Sequence, residues 1–464
     1  MNFDVFDPRR PELNTDLYEL MMDASYHDHG MNQTSTFDLF VRDLPKNWGY
    51  LLAFGLEEAV DYLLNFQICD KDIDFLRSQK RFKDDFLDYF KTMRFTGDVN
   101  AVPEGTVVFP NEPIISITAP VLESQFIETY LLSKFNHPTA VGSTASRMVQ
   151  SAKGIPLFEF GLRRSGHELS ALLGARAAYS AGFQGTSNVK AGQVFGIPIV
   201  GTHAHSYVQK FQKEIDAFRA FVHTFPDGAY LLIDTYDYLS GAKNAITISK
   251  ELEQNGHRLA GVRLDSDPLA ENSARVRQMF NENGVNYLNI MASNDLNEYK
   301  IKKLLESKAS LNGFGVGTDV IISRGAPALH VVYKLVEDTD KSGHSRPCIK
   351  LSPGKHTLPG RKQVYRTMDP DGIYNHFDTI ALHGESVNEI PNGIPLLKPI
   401  ISKGKLVYSM PSLSSIRERV RQQMNALPAY LNETEVTVPY PVKVSQGILH
   451  HIEALSQEYQ SRGG

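Results

Sequence analysis

The sequence has few of the features that mark secreted, membrane or nucleic-acid-binding proteins. Only two cysteines occur in 464 residues, Cys69 and Cys348, which excludes a disulfide scaffold and a cysteine-based zinc site. The 48 Lys and Arg residues nearly balance the 53 Asp and Glu residues, for a formal charge of −5, so no nucleic-acid or membrane partner is expected. No apolar run reaches the roughly 18 residues of a transmembrane helix, and the N-terminus lacks the basic start and apolar core of a signal peptide. We therefore expect a cytoplasmic protein.

Chain length and local pattern divide the sequence into three segments. Single cores stop growing at roughly 250–300 residues, so a chain of this length predicts more than one lobe. Residues 1–135 combine an amphipathic helix with short β-branched runs, which indicates a mixed α/β lobe. Residues 136–325 alternate short apolar strands with longer helical stretches, as in a β/α barrel or another parallel-sheet fold. Residues 326–464 return to strands that we expect to join the N-terminal lobe, followed by C-terminal helices.

Seven candidate strands in the middle segment each end in polar residues. They are "IPLFEF", "FQGTSNV", "GIPIVGT", "AYLLIDT", "LAGVRLD", "YLNIMAS" and "NGFGVGT". A β/α barrel carries its active site at the C-terminal mouth, where these turns would meet in one ring. Helix capping explains any one polar turn equally well, but it does not account for all seven together.

The charges at these strand ends indicate an anionic ligand. Arg163, Arg164 and Arg263 fall at the expected mouth, and the guanidinium group suits carboxylates and phosphates. Asp234 and Asp265 lie there as well and would repel such a ligand unless they bind a ribose, a proton or Mg²⁺. This mixture predicts a substrate that combines metal, phosphate and sugar.

The turn "GFGVGTDV" after the seventh strand is a candidate phosphate cradle. Gly315 and Gly317 let backbone N–H groups approach an anion closely, and Thr318 adds a hydroxyl donor. Barrels often bind phosphate at the turns after their last strands. Tight packing is the alternative explanation for these glycines.

The turn "THAHS" holds two histidines, His203 and His205. His-x-His on a barrel strand is also half of a zinc-hydrolase motif. The later turns supply no further histidine, so that motif lacks its remaining ligands. One functional histidine fits the pattern better than two.

A series of motifs runs in one order through nearly the whole chain: "NTDLYELMM", "FDLFVRDLP", "FEFGLRR", "ARAAYSAGFQGTSNV", "FGIPIVGTHAHSYV", "LLIDTYD", "GVRLDS", "ASNDLNE", "GFGVGTDV", "YKLVE" and "TLPGRKQVYR". By these motifs the sequence resembles the nicotinate phosphoribosyltransferase family. The resemblance implies an irregular β/α barrel of the type II phosphoribosyltransferase kind, with an interleaved mixed α/β lobe and a helical C-terminal tail. It also implies ATP-coupled, Mg²⁺-dependent phosphoribosyl transfer from phosphoribosyl pyrophosphate to nicotinate. The products would be nicotinate mononucleotide and pyrophosphate, in NAD biosynthesis or salvage.

The resemblance also implies a role for each matching residue. His205 is similar to the histidine that ATP phosphorylates, with Asp234 and Asp265 as further catalytic residues. The implied nicotinate contacts are Tyr18, Phe160, Thr202 and Arg263. The implied contacts of phosphoribosyl pyrophosphate and ATP are Arg163, Arg164, Ser293, Asn294, Gly315, Gly317 and Thr318. Tyr18 would enter the site of an adjacent subunit, which makes a homodimer with shared active sites the expected unit; the metal ligands are not identified.

One turn departs from the family pattern. The family has Arg-Leu-Asp-Ser-Gly-Asp-Leu where this chain runs from Arg263 through Asp265, Asp267 and Pro268 to Leu269. Asp265 matches the pattern, whereas a metal or ribose role for Asp267 has no support from it.

Three alternatives remain open from the sequence. The first is a phosphoribosyltransferase for nicotinamide or another pyridine, although Arg263 would select an acid. The second is a metal-dependent hydrolase with His203 and His205 as ligands. The third is a catalytically silent relative that only binds nucleotides, which the altered turn at Asp267 favours.

Overall fold

The computed structural model describes residues 12–352, 354–386 and 392–462. These residues form two compact units, the first from residues 12–139, 328–431 and 435–462, and the second from residues 140–327 and 432–434. Residues 1–11, on which the signal-peptide prediction partly rests, lie outside the described ranges. Every helix in the described part is too short or too polar to span a lipid bilayer.

The described residues form the following strands and helices. The strands are β1 Thr34–Val41, β2 Leu51–Leu52, β3 Asp98–Ala101, β4 Val107–Val108, β5 Pro113–Pro120, β6 Leu157–Glu159, β7 Gly185–Thr186, β8 Tyr230–Leu232, β9 Gly261–Leu264, β10 Asn289–Ala292, β11 Gly313–Val316, β12 Val331–Thr339, β13 Ser345–Pro347, β14 Lys362–Met368, β15 Tyr374–Leu382, β16 Ile394–Pro395, β17 Lys398–Ser402, β18 Lys405–Leu406 and β19 Val442–Val444. The α-helices are α1 Leu17–Asp28, α2 Leu56–Asn65, α3 Asp70–Ser78, α4 Asp84–Thr92, α5 Val121–Phe126, α6 Glu128–Ser151, α7 Glu168–Ser180, α8 Val189–Phe195, α9 His205–Gln209, α10 Glu214–Thr224, α11 Tyr238–Gln254, α12 Leu269–Glu282, α13 Glu298–Glu306, α14 Thr318–Ile321, α15 Leu413–Ala426 and α16 Gln446–Arg462.

The first unit contains an antiparallel seven-stranded sheet in the order β13-β12-β1-β5-β3-β17-β18. Strand β1 lies inside it, and seven of its eight residues are buried because neighbouring elements cover both faces. Strand β12 follows the second unit in sequence yet pairs with β1, so the two units are interleaved along the chain. A four-stranded sheet, β16-β14-β15-β19, and the short pair β2-β4 complete the unit.

Helix α1 is held to the start of α6 by a buried carboxylate. Glu19 accepts hydrogen bonds from the backbone N–H and the hydroxyl of Thr129, at 2.9 and 2.7 Å. Thr15 donates its hydroxyl to Glu19 as well. One turn further along, Asp23 is buried and has no hydrogen-bond partner among the described residues. Burial raises the pKa of both carboxyls, that of Glu19 to about 7.

The second unit is built on a parallel six-stranded sheet in the order β7-β6-β11-β10-β9-β8. Six of the seven predicted strands form it, each followed by a polar turn and most by a helix. The predicted fold class, an α/β parallel section with a mixed lobe and a helical C-terminus, is confirmed. The predicted strand "GIPIVGT" is wrong as a full strand, since it makes one bridge, between Thr186 and Ile199.

Candidate active site

A cavity of about 270 Å³ lies where the turns after the parallel strands come together. Its lining residues are Phe160, Leu162, Arg163, Ser187, Gly201, Thr202, His203, Ala204 and Arg263. The volume is near the lower end of small-molecule sites, which begin at roughly 300 Å³. Four predicted site residues, namely Phe160, Arg163, Thr202 and Arg263, therefore share one cavity, as the barrel argument requires.

Arg263 is the dominant charge in this cavity. Strand β9 carries it inward, where Nη1 donates to the Ser293 hydroxyl at 3.2 Å and Nη2 to the carbonyl oxygen of His203 at 3.3 Å. Its Nε is buried and has no hydrogen-bond partner among the described residues. Burial lowers the pKa of Arg263, while the charges of Asp265 and Asp234 oppose that shift. A buried guanidinium with an unused donor is suited to an anionic group.

A carboxylate network adjoins Arg263. The Ser293 hydroxyl donates to Asp265 Oδ1 at 2.6 Å, and the backbone N–H of Asp265 donates to Asp234 Oδ2 at 2.6 Å. The second oxygen of Asp234, Oδ1, is buried without a partner among the described residues. Carboxylate oxygens are the donors that Mg²⁺ prefers, so Asp234 and Asp265 fit a magnesium ion.

His205 begins α9 beside this network. Its Nδ1 lies 3.1 Å from the hydroxyl of Thr235, and its Nε2 lies 3.7 Å from Asp265 Oδ2. The side chain is 40% exposed, so a second substrate can reach the ring. Thr235 was not predicted, although its place in the polar turn "DTYD" was a usable signal.

His203, unlike His205, is buried in an aromatic environment. The ring is buried and packs against Tyr207, Phe218 and Phe221. Its Nε2 accepts the backbone N–H of Leu232 at 3.2 Å. Because Nε2 already accepts this hydrogen bond, the geometry does not favour a zinc site formed by both histidines. In the described ranges, the only cluster of three candidate ligands consists of His27, Asp28 and Asp85.

Glu159 holds two of the turns through hydrogen bonds, and it was not among the predicted site residues. It is buried in β6, where one carboxylate oxygen accepts the Gly161 N–H and the other accepts the Thr186 hydroxyl. Thr186 in turn accepts the N–H of Asn188 at 3.0 Å. Burial raises the pKa of Glu159. The available signal was a lone acidic residue inside the apolar run "LFEF".

The glycine-rich turn has a packing explanation. A Cβ at Gly315 would lie 2.6 Å from the Phe160 ring, and one at Gly317 would lie 3.1 Å from the Phe160 carbonyl oxygen. Both glycines therefore let Phe160 sit against β11. Thr318 starts the four-residue helix α14, and phosphate binding by this turn stays a prediction.

Asp267 belongs to a surface clamp. Its Oδ2 lies 3.1 Å from Lys300 Nζ and accepts from Asn294 Nδ2 at 3.1 Å. Lys300 also donates to the Asn294 carbonyl at 2.9 Å. Asn294 and Asp295 both have positive φ, 95° and 46°, a conformation that costs energy in non-glycine residues. The clamp holds this turn in place, which gives Asp267 a structural task.

Ten of the fourteen predicted site residues are not in the cavity lining, and Arg164 and Tyr18 are two of them. Arg164 ends the exposed 3₁₀ helix Leu162–Arg164. Tyr18 belongs to the first unit, on α1, where its side chain is 46% exposed. Burial of its remaining surface, with Glu128 and Glu19 nearby, raises the pKa of Tyr18 to about 12.

Comparisons with known proteins agree over the full length of the chain. Residues 13–136 match the nicotinate phosphoribosyltransferase (NAPRTase) N-terminal domain, residues 155–342 the NAPRTase family, and residues 361–452 the nicotinate phosphoribosyltransferase C-terminal domain. A nicotinate phosphoribosyltransferase of Mycobacterium tuberculosis (strain CDC 1551 / Oshkosh) is 41% identical over 445 residues, covering 96% of this chain and 93% of the relative. The Bacillus subtilis (strain 168) enzyme of that name is 37% identical, covering 94% of this chain and 93% of the relative.

A solved structure shows the same fold. The crystal structure of human nicotinic acid phosphoribosyltransferase is 26% identical with a TM-score of 0.84, and the match covers 95% of this chain and 99% of the human one. Family models, sequence relatives and this structure point to one group of enzymes. The chain belongs to the nicotinate phosphoribosyltransferase family.

Proposed function

We propose that this enzyme transfers the phosphoribosyl group of phosphoribosyl pyrophosphate to nicotinate, forming nicotinate mononucleotide and pyrophosphate in NAD biosynthesis. The observation that carries the proposal is Arg263, whose buried guanidinium faces a small cavity with its Nε unused. The cavity lining includes a second arginine, Arg163, and no acidic side chain among the described residues. Such a cavity favours an anionic ring over a neutral amide. The cytoplasmic location predicted above rests on the sequence.

The nicotinate ring would bind between Phe160 and Thr202, with its carboxylate toward Arg263. The flat ring of Phe160, seated on Gly315, offers a stacking surface. During transfer, the bond between ribose C1 and the pyrophosphate oxygen breaks and its electron pair leaves with pyrophosphate. The pyridine nitrogen donates its lone pair to C1, so no base is required. Positioning and electrostatics therefore supply the rate enhancement.

Asp234 and Asp265 would hold Mg²⁺ during this step. The unpartnered Oδ1 of Asp234 and the Oδ2 of Asp265 are the available oxygens. The ion supplies positive charge to the departing pyrophosphate. Arg163, in the lining of the cavity, would add a second positive charge.

ATP would phosphorylate His205. A ring nitrogen attacks the γ-phosphorus of ATP, the bond to the bridging oxygen breaks, and ADP leaves with the electron pair; water later releases the phosphate from the histidine. Thr235 and Asp265 flank the two ring nitrogens and would orient the ring. The exposure of His205 supports access by the nucleotide.

Labelling with γ-³²P-ATP tests this role. We expect acid-labile, base-stable label on the wild-type protein and none on His205→Ala. His257→Ala is the matched control, because His257 is an exposed histidine of the same unit that pairs with Asp227. Label retained on His205→Ala would overturn the assignment.

A homodimer with shared sites is the proposed assembly. Leu17, Tyr18 and Met21 on α1 are 47, 46 and 54% exposed. The second unit exposes a further apolar group, Val189, Val194 and Ile199, at 67, 50 and 58%. Exposed apolar groups of this kind mark contact surfaces, which supports entry of Tyr18 into a partner's site.

Mixed dimers test the sharing of sites. Tyr18→Ala and His205→Ala homodimers should each lack ATP-stimulated activity, whereas a mixture allowed to exchange subunits should regain it. The hybrid would have one site with both residues intact. A mixture as inactive as its parents, after exchange has been demonstrated by mass spectrometry, would contradict shared sites.

A further inference from the structure

The parallel sheet of the second unit has two edge strands, β7 and β8, and residues 197–203 run between them. On one side, the segment makes backbone hydrogen bonds to β7: Thr186 N–H donates to the Pro198 carbonyl, and Val200 N–H donates to the Thr186 carbonyl, both at 3.0 Å. On the other side, the described residues show no backbone–backbone hydrogen bond from this segment to β8. The backbone groups on that edge of β8 therefore need other partners.

Side chains of the segment supply those partners. The Thr202 hydroxyl donates to the Tyr230 carbonyl oxygen, and His203 Nε2 accepts the Leu232 N–H at 3.2 Å. Two adjacent side chains thus replace a strand ladder. Aromatic rings hold the imidazole in place, the closest being Phe221 at 4.9 Å between ring centroids and nearly perpendicular.

We infer that His203 is a positioning residue, a neutral Nδ1–H imidazole that joins the "THAH" turn to β8 and thereby aims Thr202, His205 and Arg263. This inference rests on the proposed function, because it assigns His203 to the turn that carries the proposed reacting groups. Since Nε2 accepts the Leu232 amide, the single ring proton is on Nδ1. The His203 carbonyl oxygen accepts from Arg263 Nη2, so the same residue also fixes the guanidinium.

The surroundings keep the ring neutral. Burial, together with the nearby charges of Arg263 and His205, lowers the pKa of His203 to about 4, although a hydrogen bond with the Ala204 backbone opposes the shift. Tyr207 of α9 and the rings of Phe218 and Phe221 of α10 also pack against the imidazole. A protonated ring could not accept the Leu232 N–H, because both ring nitrogens would be donors.

Ring ¹⁵N NMR of the full-length protein, with labelled histidine, tests the tautomer. The His203 signal is identified by its loss in His203→Gln. We expect a protonated Nδ1 and an unprotonated Nε2 that stay unchanged between about pH 5.5 and 8. Titration in that range, or a proton on Nε2, would overturn the inference. If His203→Gln does not fold, hydrogen exchange at the Leu232 amide of the wild type decides: protection supports the bond and rapid exchange overturns it.

Kinetics test the positioning role. Gln can accept the Leu232 N–H through its side-chain oxygen, so His203→Gln should keep kcat/KM for nicotinate within about threefold, whereas His203→Leu should lose at least about tenfold. Equal kinetics for Leu, Gln and wild type would overturn the positioning role. A wild-type protein without nicotinate-dependent transfer would instead overturn the proposed function, and the NMR result would still decide the tautomer.

Discussion

Arg263 Nη1 lies 3.8 Å from Asp265 Oδ2, and the Ser293 hydroxyl joins the two side chains by accepting from the guanidinium and donating to the carboxylate. Arg263 is therefore held in place without a direct hydrogen bond to Asp265, and its buried Nε has no partner among the described residues. This arrangement places a buried positive charge in the lining of the cavity and a pair of carboxylates, Asp265 and Asp234, next to it. The predictions below follow from it.

Replacing Arg263 with Gln should remove the selection for an acid. We expect kcat/KM for nicotinate to fall at least about 100-fold, because a charged hydrogen bond to the substrate carboxylate is lost. The rate with nicotinamide should change much less. Arg258→Gln is the control, since Arg258 is exposed and stacks on Tyr287. A similar loss for both bases would show that Arg263 does not read the carboxylate.

A carboxylate at Ser187 should repel nicotinate. Ser187 lines the cavity together with Arg163 and Arg263, so Ser187→Asp would place a negative charge beside the bound anion. We expect KM for nicotinate to rise at least about tenfold in Ser187→Asp and less than about threefold in Ser187→Ala. Steady-state kinetics of the two variants checks this, and equal KM values would argue against the assigned cavity.

The clamp formed by Asp267 and Lys300 should affect the binding of phosphoribosyl pyrophosphate more than that of nicotinate, because it holds Asn294, a predicted contact of phosphoribosyl pyrophosphate. Lys300→Met removes the contacts of Lys300 with Asp267 and with the Asn294 carbonyl. We expect KM for phosphoribosyl pyrophosphate to rise about tenfold while KM for nicotinate stays unchanged. Lys302→Met on the same helix, whose lysine pairs with Glu433, should match the wild type. An unchanged Lys300→Met enzyme would make the clamp irrelevant to the site.

Asp23 gives a prediction about pH and stability. Burial raises its pKa, with Glu19 adding to the shift, so Asp23 keeps a proton that the unfolded chain releases above about pH 4. Asp23 therefore lowers the free energy of unfolding least at low pH, and it lowers that free energy more as the pH rises. In thermal unfolding at pH 8, Asp23→Asn should be more stable than the wild type by at least about 1 kcal/mol in the free energy of unfolding, and the difference should shrink toward pH 5.

The control for this prediction is on the same helix. Asp28 is exposed and pairs with Lys83 at 2.6 Å, so Asp28→Asn should give no gain at pH 8. A less stable Asp23→Asn protein at pH 8 would show that Asp23 is ionised and paired in the fold.

Sequence reasoning identified the strands of the second unit because their apolar runs and polar ends are local signals. Phe160, Thr202 and Arg263, three of the four predicted nicotinate contacts, share one cavity because the carboxyl ends of parallel strands lie at one edge of a sheet, whereas Tyr18 does not line it. The strand prediction for "GIPIVGT" rested on its β-branched residues and was wrong. This part of the chain contacts β8 through the side chains of Thr202 and His203 and not, within the described residues, through backbone hydrogen bonds.

Other features depend on contacts that no local pattern reveals. The role of His203 depends on Leu232, 29 residues away, and that of Asp267 depends on Lys300, 33 residues away. The packing of Gly315 depends on Phe160, whose ring occupies the space that a Cβ at this position would take. Long-range packing of this kind is decided by the fold as a whole.

The most direct test of the central claim is the initial rate of pyrophosphate release from phosphoribosyl pyrophosphate with Mg²⁺, measured with nicotinate, with nicotinamide or with no base, each with and without ATP. The account predicts release that requires nicotinate, increases with ATP, and is at least about 100-fold slower with nicotinamide. Equal rates with the two bases, or no release with nicotinate, would contradict it.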